Sequence, residues 1–141
     1  MLNNNDFISL ERRLWREGNP LTDELVSTSE LIGAALDWAV AKCDGREFYN
    51  HDRDGATCMR GGWTDYSTDW TQGGPIIERI EGFQFKHWLE SNRESQCQAE
   101  IHNYDGDWVA FGPTPLIAAM RCYVASKLGE TIKIPQEIKP C

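Results

Sequence analysis

The run from Gln98 to Gly129, QAEIHNYDGDWVAFGPTPLIAAMRCYVASKLG, decides the fold class. Gln98–Tyr104 and Asp107–Phe111 are strand-like runs joined through Asp105-Gly106. Asp-Gly between such runs is a strong hairpin signal, because both residues tolerate the positive φ of a tight turn. Gly112-Pro113-Thr114-Pro115 then opens a helix. Thr114 suits the N-cap, where its side chain can accept an orphan N–H; Pro115 suits the first helical position, where a missing N–H costs nothing. Leu116, Ile117, Met120, Val124 and Leu128 form an apolar stripe, and Gly129 is a natural stop.

Working upstream, Pro75–Ile80 and Phe83–Trp88 read as two more strands, with Glu81-Gly82 as their turn. Together the four make an antiparallel meander. A second helix is predicted over Glu30–Cys43, ending before Gly45. Ser27 and Glu30 have capping-box spacing, and Thr28 or Ser29 could cap instead. Leu31, Ala35 and Trp38 share one side of this helix, and Leu36, Val40 and Cys43 another, so it should be buried on most sides. Thr131–Pro135 alternates and reads as a last strand, placed beside the early strand Glu24-Leu25-Val26. The expected fold is α+β: a short antiparallel sheet of four to five strands with the two principal helices on one face. Residues 1–22 read as an N-terminal extension, a short amphipathic helix with Phe7, Leu10 and Leu14 at helical spacing, stopped by Gly18-Asn19-Pro20. Residues 23–141 form the single domain.

The 141 residues carry 14 Lys plus Arg against 22 Asp plus Glu, a net charge of -8. That balance argues against direct nucleic-acid binding, which needs a surplus of cations to neutralise phosphates. The absence of a long apolar run argues against a membrane protein. Five cysteines, Cys43, Cys58, Cys97, Cys122 and Cys141, are an odd number without a C-x-x-C pair. They read as reduced thiols, with Cys43 and Cys122 packed on helices as small apolar residues. No spacing asks for a metal site or a cofactor, and no Walker-type G-x-x-x-x-G-K is present.

Three segments carry a resemblance: Glu30–Ala41 (ELIGAALDWAVA), Tyr66–Glu78 (YSTDWTQGGPIIE) and Gly112–Ala125 (GPTPLIAAMRCYVA). In this order the chain resembles the NinX-like accessory proteins of lambdoid and related tailed phages, over about residues 25–138. The resemblance implies a phage gene product acting in the host cytoplasm. It assigns no catalytic residue, and residues 1–22 stand outside the family pattern.

The candidate site joins the aromatic and glycine-rich segment to the start of the last helix: Tyr66, Ser67, Asp69, Trp70, Gly73, Gly74, Thr114 and Arg121. A helix N-terminus offers N–H groups to an anion, Tyr66 or Trp70 could stack on a base, and Arg121 could fork a phosphate. The expected function is an accessory protein that binds in the infected cell. It would interfere with a host defence by blocking a defence protein or by sequestering a small, nucleotide-like anion. The alternative is a small enzyme acting on a nucleotide or similar metabolite, with Asp65, Asp69 or Glu78 as acid or base. A third reading is an acidic mimic of nucleic acid, though the acids are scattered. A homo-oligomer is left open.

Overall fold

A computed structural model of the chain describes residues 24–50, 57–60, 62, 64–88, 96–135 and 138–140. The extension 1–22 lies outside them. The elements run β1 (Glu24–Ser27), a 3-10 turn (Thr28–Glu30), α1 (Gly33–Cys43), β2 (Phe48–Asn50), β3 (Thr57–Met59), α2 (Trp70–Arg79) and β4 (Phe83–Trp88). There follow β5 (Gln96–Asn103), β6 (Gly106–Gly112), α3 (Pro115–Leu128), β7 (Thr131–Ile134) and β8 (Ile138–Pro140). The fold is α+β.

The strands form three small sheets among the described residues. β4, β5 and β6 make an antiparallel sheet, with Phe85 opposite Ala99 and Ala99 opposite Ala110. β1 pairs antiparallel with β7, Leu25 opposite Lys133, where the sequence placed its last strand. β3 pairs antiparallel with β2 and parallel with β8.

The helix α3 is the centre of the molecule. It packs on β5 and β6, and α1, α2 and the 3-10 turn pack on it. Leu116–Met120 and Cys122–Val124 are all buried, so its burial is far wider than one stripe. Its ends match the sequence reading: Thr114 Oγ1 accepts the Ile117 N–H at 3.2 Å, and Gly129 closes the helix at φ +92°. Cys122 is buried on this helix, and Cys43 is half-buried at the end of α1. Removal from water pushes both thiols up to about 12, so they stay protonated at neutral pH.

Three expectations are corrected. Pro75–Ile80 is not a strand: Pro75–Arg79 is the second half of α2, with Pro75 inside the helix, and Ile80 is the extended residue that caps it. The isoleucines follow helical spacing rather than alternation: Ile76 is buried, and Ile77 and the cap residue Ile80 pack against the same core. Glu81-Gly82 therefore links a helix to β4 instead of turning a hairpin, and the meander has three strands. Finally, the first long helix starts at Gly33, and Ile32 at its N-cap gives no side-chain cap. The residues read as caps are engaged elsewhere. Thr28 donates both its N–H and its hydroxyl to Glu130 O, at 2.8 and 3.1 Å, which keeps this part of the chain bound to the β7 side.

Candidate functional site

The eight residues singled out in the sequence fall into three groups. Tyr66 and Ser67 are buried in a turn that is pinned to α1: Ser67 N–H donates to Asp37 Oδ1 at 2.8 Å. Asp37 is itself buried. Desolvation raises its pKa, and the Ser67 N–H pulls it back. Tyr66 is thus a packing residue with little face to offer a base.

Asp69, Trp70, Gly73 and Gly74 belong to the start of α2. Asp69 caps that helix, accepting from Thr71 N at 2.9 Å, Thr71 Oγ1 at 2.7 Å and Gln72 Nε2 at 3.3 Å. These donors, Thr71 first, hold its pKa below the usual carboxylate range, which makes it a poor general base. Gly73 is buried against the Tyr66 carbonyl and the Leu116 side chain, and it lets α2 approach the first turn of α3. Trp70 stands half exposed, edge-on to Phe85 with ring centroids 6.3 Å apart.

Thr114 and Arg121 complete the set, but they serve α3. Thr114 takes the Ile117 N–H with its hydroxyl and the Ala118 N–H with its carbonyl. Pro115 has no N–H, so among the described residues Leu116 alone offers a first-turn donor to an anion. Arg121 lies five residues beyond Leu116, about 140° around a helix of 3.6 residues per turn. It faces the 3-10 turn and β6, away from Gly73. Its Nε donates to Leu31 O at 2.7 Å and its Nη1 to Phe111 O at 2.8 Å. Burial lowers its pKa, and Glu30 works against that shift. The structure does not bring Arg121 to the other seven residues.

Arg121 therefore ties three segments together through backbone carbonyls. Arg121→Ala is expected to lower stability by about 1.5–3 kcal/mol, the range for charged hydrogen bonds whose acceptors are left unpaired. Urea unfolding beside the parent checks it. A midpoint unchanged within error would show that the two bonds carry no net stability.

Another constellation was missed. It lies on the outer face of the β4–β5–β6 sheet, opposite the side that α3 covers. Glu100 accepts from Gln84 Nε2 at 2.7 Å and from Gln98 Nε2 at 2.8 Å, with Lys86 Nζ 3.5 Å away. His102 lies 3.4 Å from Glu100 through Nε2 and 2.7 Å from Asp107 through Nδ1. Partial desolvation would raise Glu100, but Gln84, His102 and Lys86 hold it below its usual range. Asp107 first, then Glu100, raise the His102 pKa and favour imidazolium. Glu100 and Gln98 are themselves buried. Val109 and Phe111 stand beside it, 48% and 45% exposed. A turn at Asp105-Gly106 would set His102 opposite Val109; the hairpin turns instead at Tyr104-Asp105, which sets His102 opposite Asp107. What the sequence did carry was the sharing of one face by Gln98, Glu100 and His102 through alternation.

A groove of about 340 Å³ separates the end of α2 from the β5–β6 turn and α3. Arg79 and Lys127 line it, but so do Glu81 and Asp105, and Arg79 is committed to Asp44 at 2.7 Å. Among the described residues, no cluster of three or more metal-ligating side chains is present. None of their helices is long and apolar enough to cross a membrane.

No curated protein sequence matches the chain. The model of one family does, described as Bacteriophage P22, NinX, and it matches residues 27–127. That span runs from the end of β1 through α1, α2 and the three-stranded sheet into the last turn of the central helix α3. It covers most of the chain, and the protein belongs to the bacteriophage NinX family.

Proposed function

We propose that this phage accessory protein acts by binding a host protein in the cytoplasm of the infected cell, and that it obstructs a host defence by occupying that protein. The observation that carries the reading is the outer sheet face. Its polar groups are held in place by one another through Glu100, and Val109 and Phe111 add exposed apolar surface beside them. Fixed hydrogen-bonding groups next to an apolar patch suit a protein partner, since less side-chain freedom is lost on binding. Sequestering a small anion is less well supported. Arg121 is engaged by carbonyls, the α3 start is capped, and Arg79 is paired with an acid.

The test is native mass spectrometry of the protein after exposure to host lysate, with Phe111→Ser and His102→Ala variants alongside. The parent is expected to retain a protein partner, with affinity falling about tenfold in each variant, as for moderately important interface residues. Equal retention by parent and variants would remove this face from the reading. A retained small molecule would favour sequestration, and a converted one would favour an enzyme.

A further inference from the structure

We infer that the host protein is held by strand addition: an extended segment of it, acidic at one end and basic at the other, lies along the edge of β6. The inference rests on the reading that the protein acts by binding a host protein, and it names the part of that protein which is gripped. A groove of about 350 Å³ follows this edge, with Asp107–Ala110 on one side, Ser27–Ser29 on the other, and Arg121 and Ala125 of α3 between them. Among the described residues β6 is an end strand of its sheet, and its run GDWVAFG holds no proline. Its one charge, Asp107, is turned back onto His102 of the neighbouring strand at 2.7 Å, so it does not guard the edge.

The register fixes which backbone groups face the groove. Asn103 and Gly106 flank the tip Tyr104-Asp105, so they exchange the ladder's hydrogen bonds, as do Ile101 with Trp108 and Ala99 with Ala110. Asp107, Val109 and Phe111 therefore turn their N–H and C=O groups outward. Arg121 bears this out, since its Nη1 reaches Phe111 O from that side at 2.8 Å. The groups of Asp107 and Val109 line the groove itself. A strand laid there would bond to them through its main chain. Its side chains would fall alternately beside Val109 and Phe111 on the outer face and into the groove over Arg121 and Ala125.

Charge selects the occupant. α3 runs back beside β6, with Gly112 against Ala118 and the Cys122 thiol on Trp108 O. Arg121 therefore lies toward the Phe111 end of the groove, and Glu130, beyond the helix, toward the Asp107 end. Arg121 bonds to main-chain carbonyls and Glu30 acts on it at longer range, so its guanidinium keeps charge and N–H groups for a carboxylate. Glu130 is exposed. An acidic side chain fits the Arg121 end and a basic one the Glu130 end, about four residues apart on one face of the added strand. Antiparallel addition, the more stable pairing, places the acid first. A free anion would meet Arg121 alone; a strand adds the main-chain bonds.

The experiment pans a library of random linear peptides on the full chain and measures the enriched ones by calorimetry against the parent, Val109→Pro and Val109→Thr. Proline removes the outward Val109 N–H, which the β5–β6 ladder does not use; threonine keeps it and suits a strand. Peptides with the acid-then-base pattern should bind the parent and Val109→Thr alike, and Val109→Pro about tenfold more weakly. On the parent, hydrogen exchange at the Asp107 and Val109 amides should slow when peptide is added, and this decides if the proline variant fails to fold. Four results would each overturn the inference: no enrichment of that pattern, equal binding to Val109→Pro, exchange that the peptide leaves unchanged, or amides already protected in the free chain. Host lysate separates the two readings. A retained protein lost with Phe111→Ser but not with Val109→Pro overturns strand addition and leaves the outer face in place. One lost with Val109→Pro but kept by Phe111→Ser and His102→Ala supports strand addition and removes the side chains of that face from the reading.

Discussion

Met120→Asp is expected to leave the chain without a cooperative unfolding transition. Met120 is fully buried near the middle of α3, the helix on which the other elements pack. An aspartate there has no cation provided for it, and burying it costs about 3–5 kcal/mol, much of a typical domain's stability. Burial would raise its pKa above the unfolded value. The destabilisation should therefore be least in acid and grow as pH rises through the ordinary carboxylate range. Met120→Leu, close in volume, should cost less than about 1.5 kcal/mol. Thermal melting of the three proteins at two pH values reads the result. An aspartate variant that melts like the parent would remove Met120 from the core.

Gly82→Ala should cost about 3–4 kcal/mol despite adding one methyl group at an exposed link. Gly82 joins α2 to β4 at φ +77°, a conformation that L side chains rarely adopt. A Cβ there would collide with the His102 carbonyl oxygen, part of the β5 backbone, and His102 N–H donates to Gly82 O at 2.9 Å. Neither partner can yield without breaking that bond. Gly74→Ala is the contrast. It sits within α2, its Cβ would meet only Trp70 Cε3 at 3.9 Å, and it should be neutral or stabilising by up to about 1 kcal/mol. Equal urea midpoints for the two variants would refute the argument from backbone collision.

What could be read from the sequence was what local chemistry decides. Thr114, Pro115 and Gly129 mark the ends of α3 by residue type, and the Asp-Gly signal located the β5–β6 hairpin, but its tip is Tyr104-Asp105 rather than Asp105-Gly106: Gly106 opens β6, and Asp105 does not take a positive φ. The start of α2 was misread because Gly73-Gly74-Pro75 has turn composition. The competing signals were the Asp69 cap and the helical spacing of Ile76, Ile77 and Ile80, and the close approach to Leu116 makes Gly73 a packing residue. The three-residue strands β2, β3 and β8 were missed because so short a run carries no period of its own. Their pairing is tertiary. Arg121 shows the same limit at the site. Its partners are main-chain carbonyls, which no residue type reveals.

The pairing of β1 with β7 has a consequence for the order in which the molecule can form. Thr28 donates to a carbonyl 102 residues further along, and the whole of β1 is zipped to a strand that is made only after α3. The β5–β6 hairpin can close as soon as it is made. β1 must wait for its β7 partner until the chain beyond α3 has been made. Closing this pair thus needs β7, and a chain cut short after α3 would hold its central helix but leave β1 without that partner.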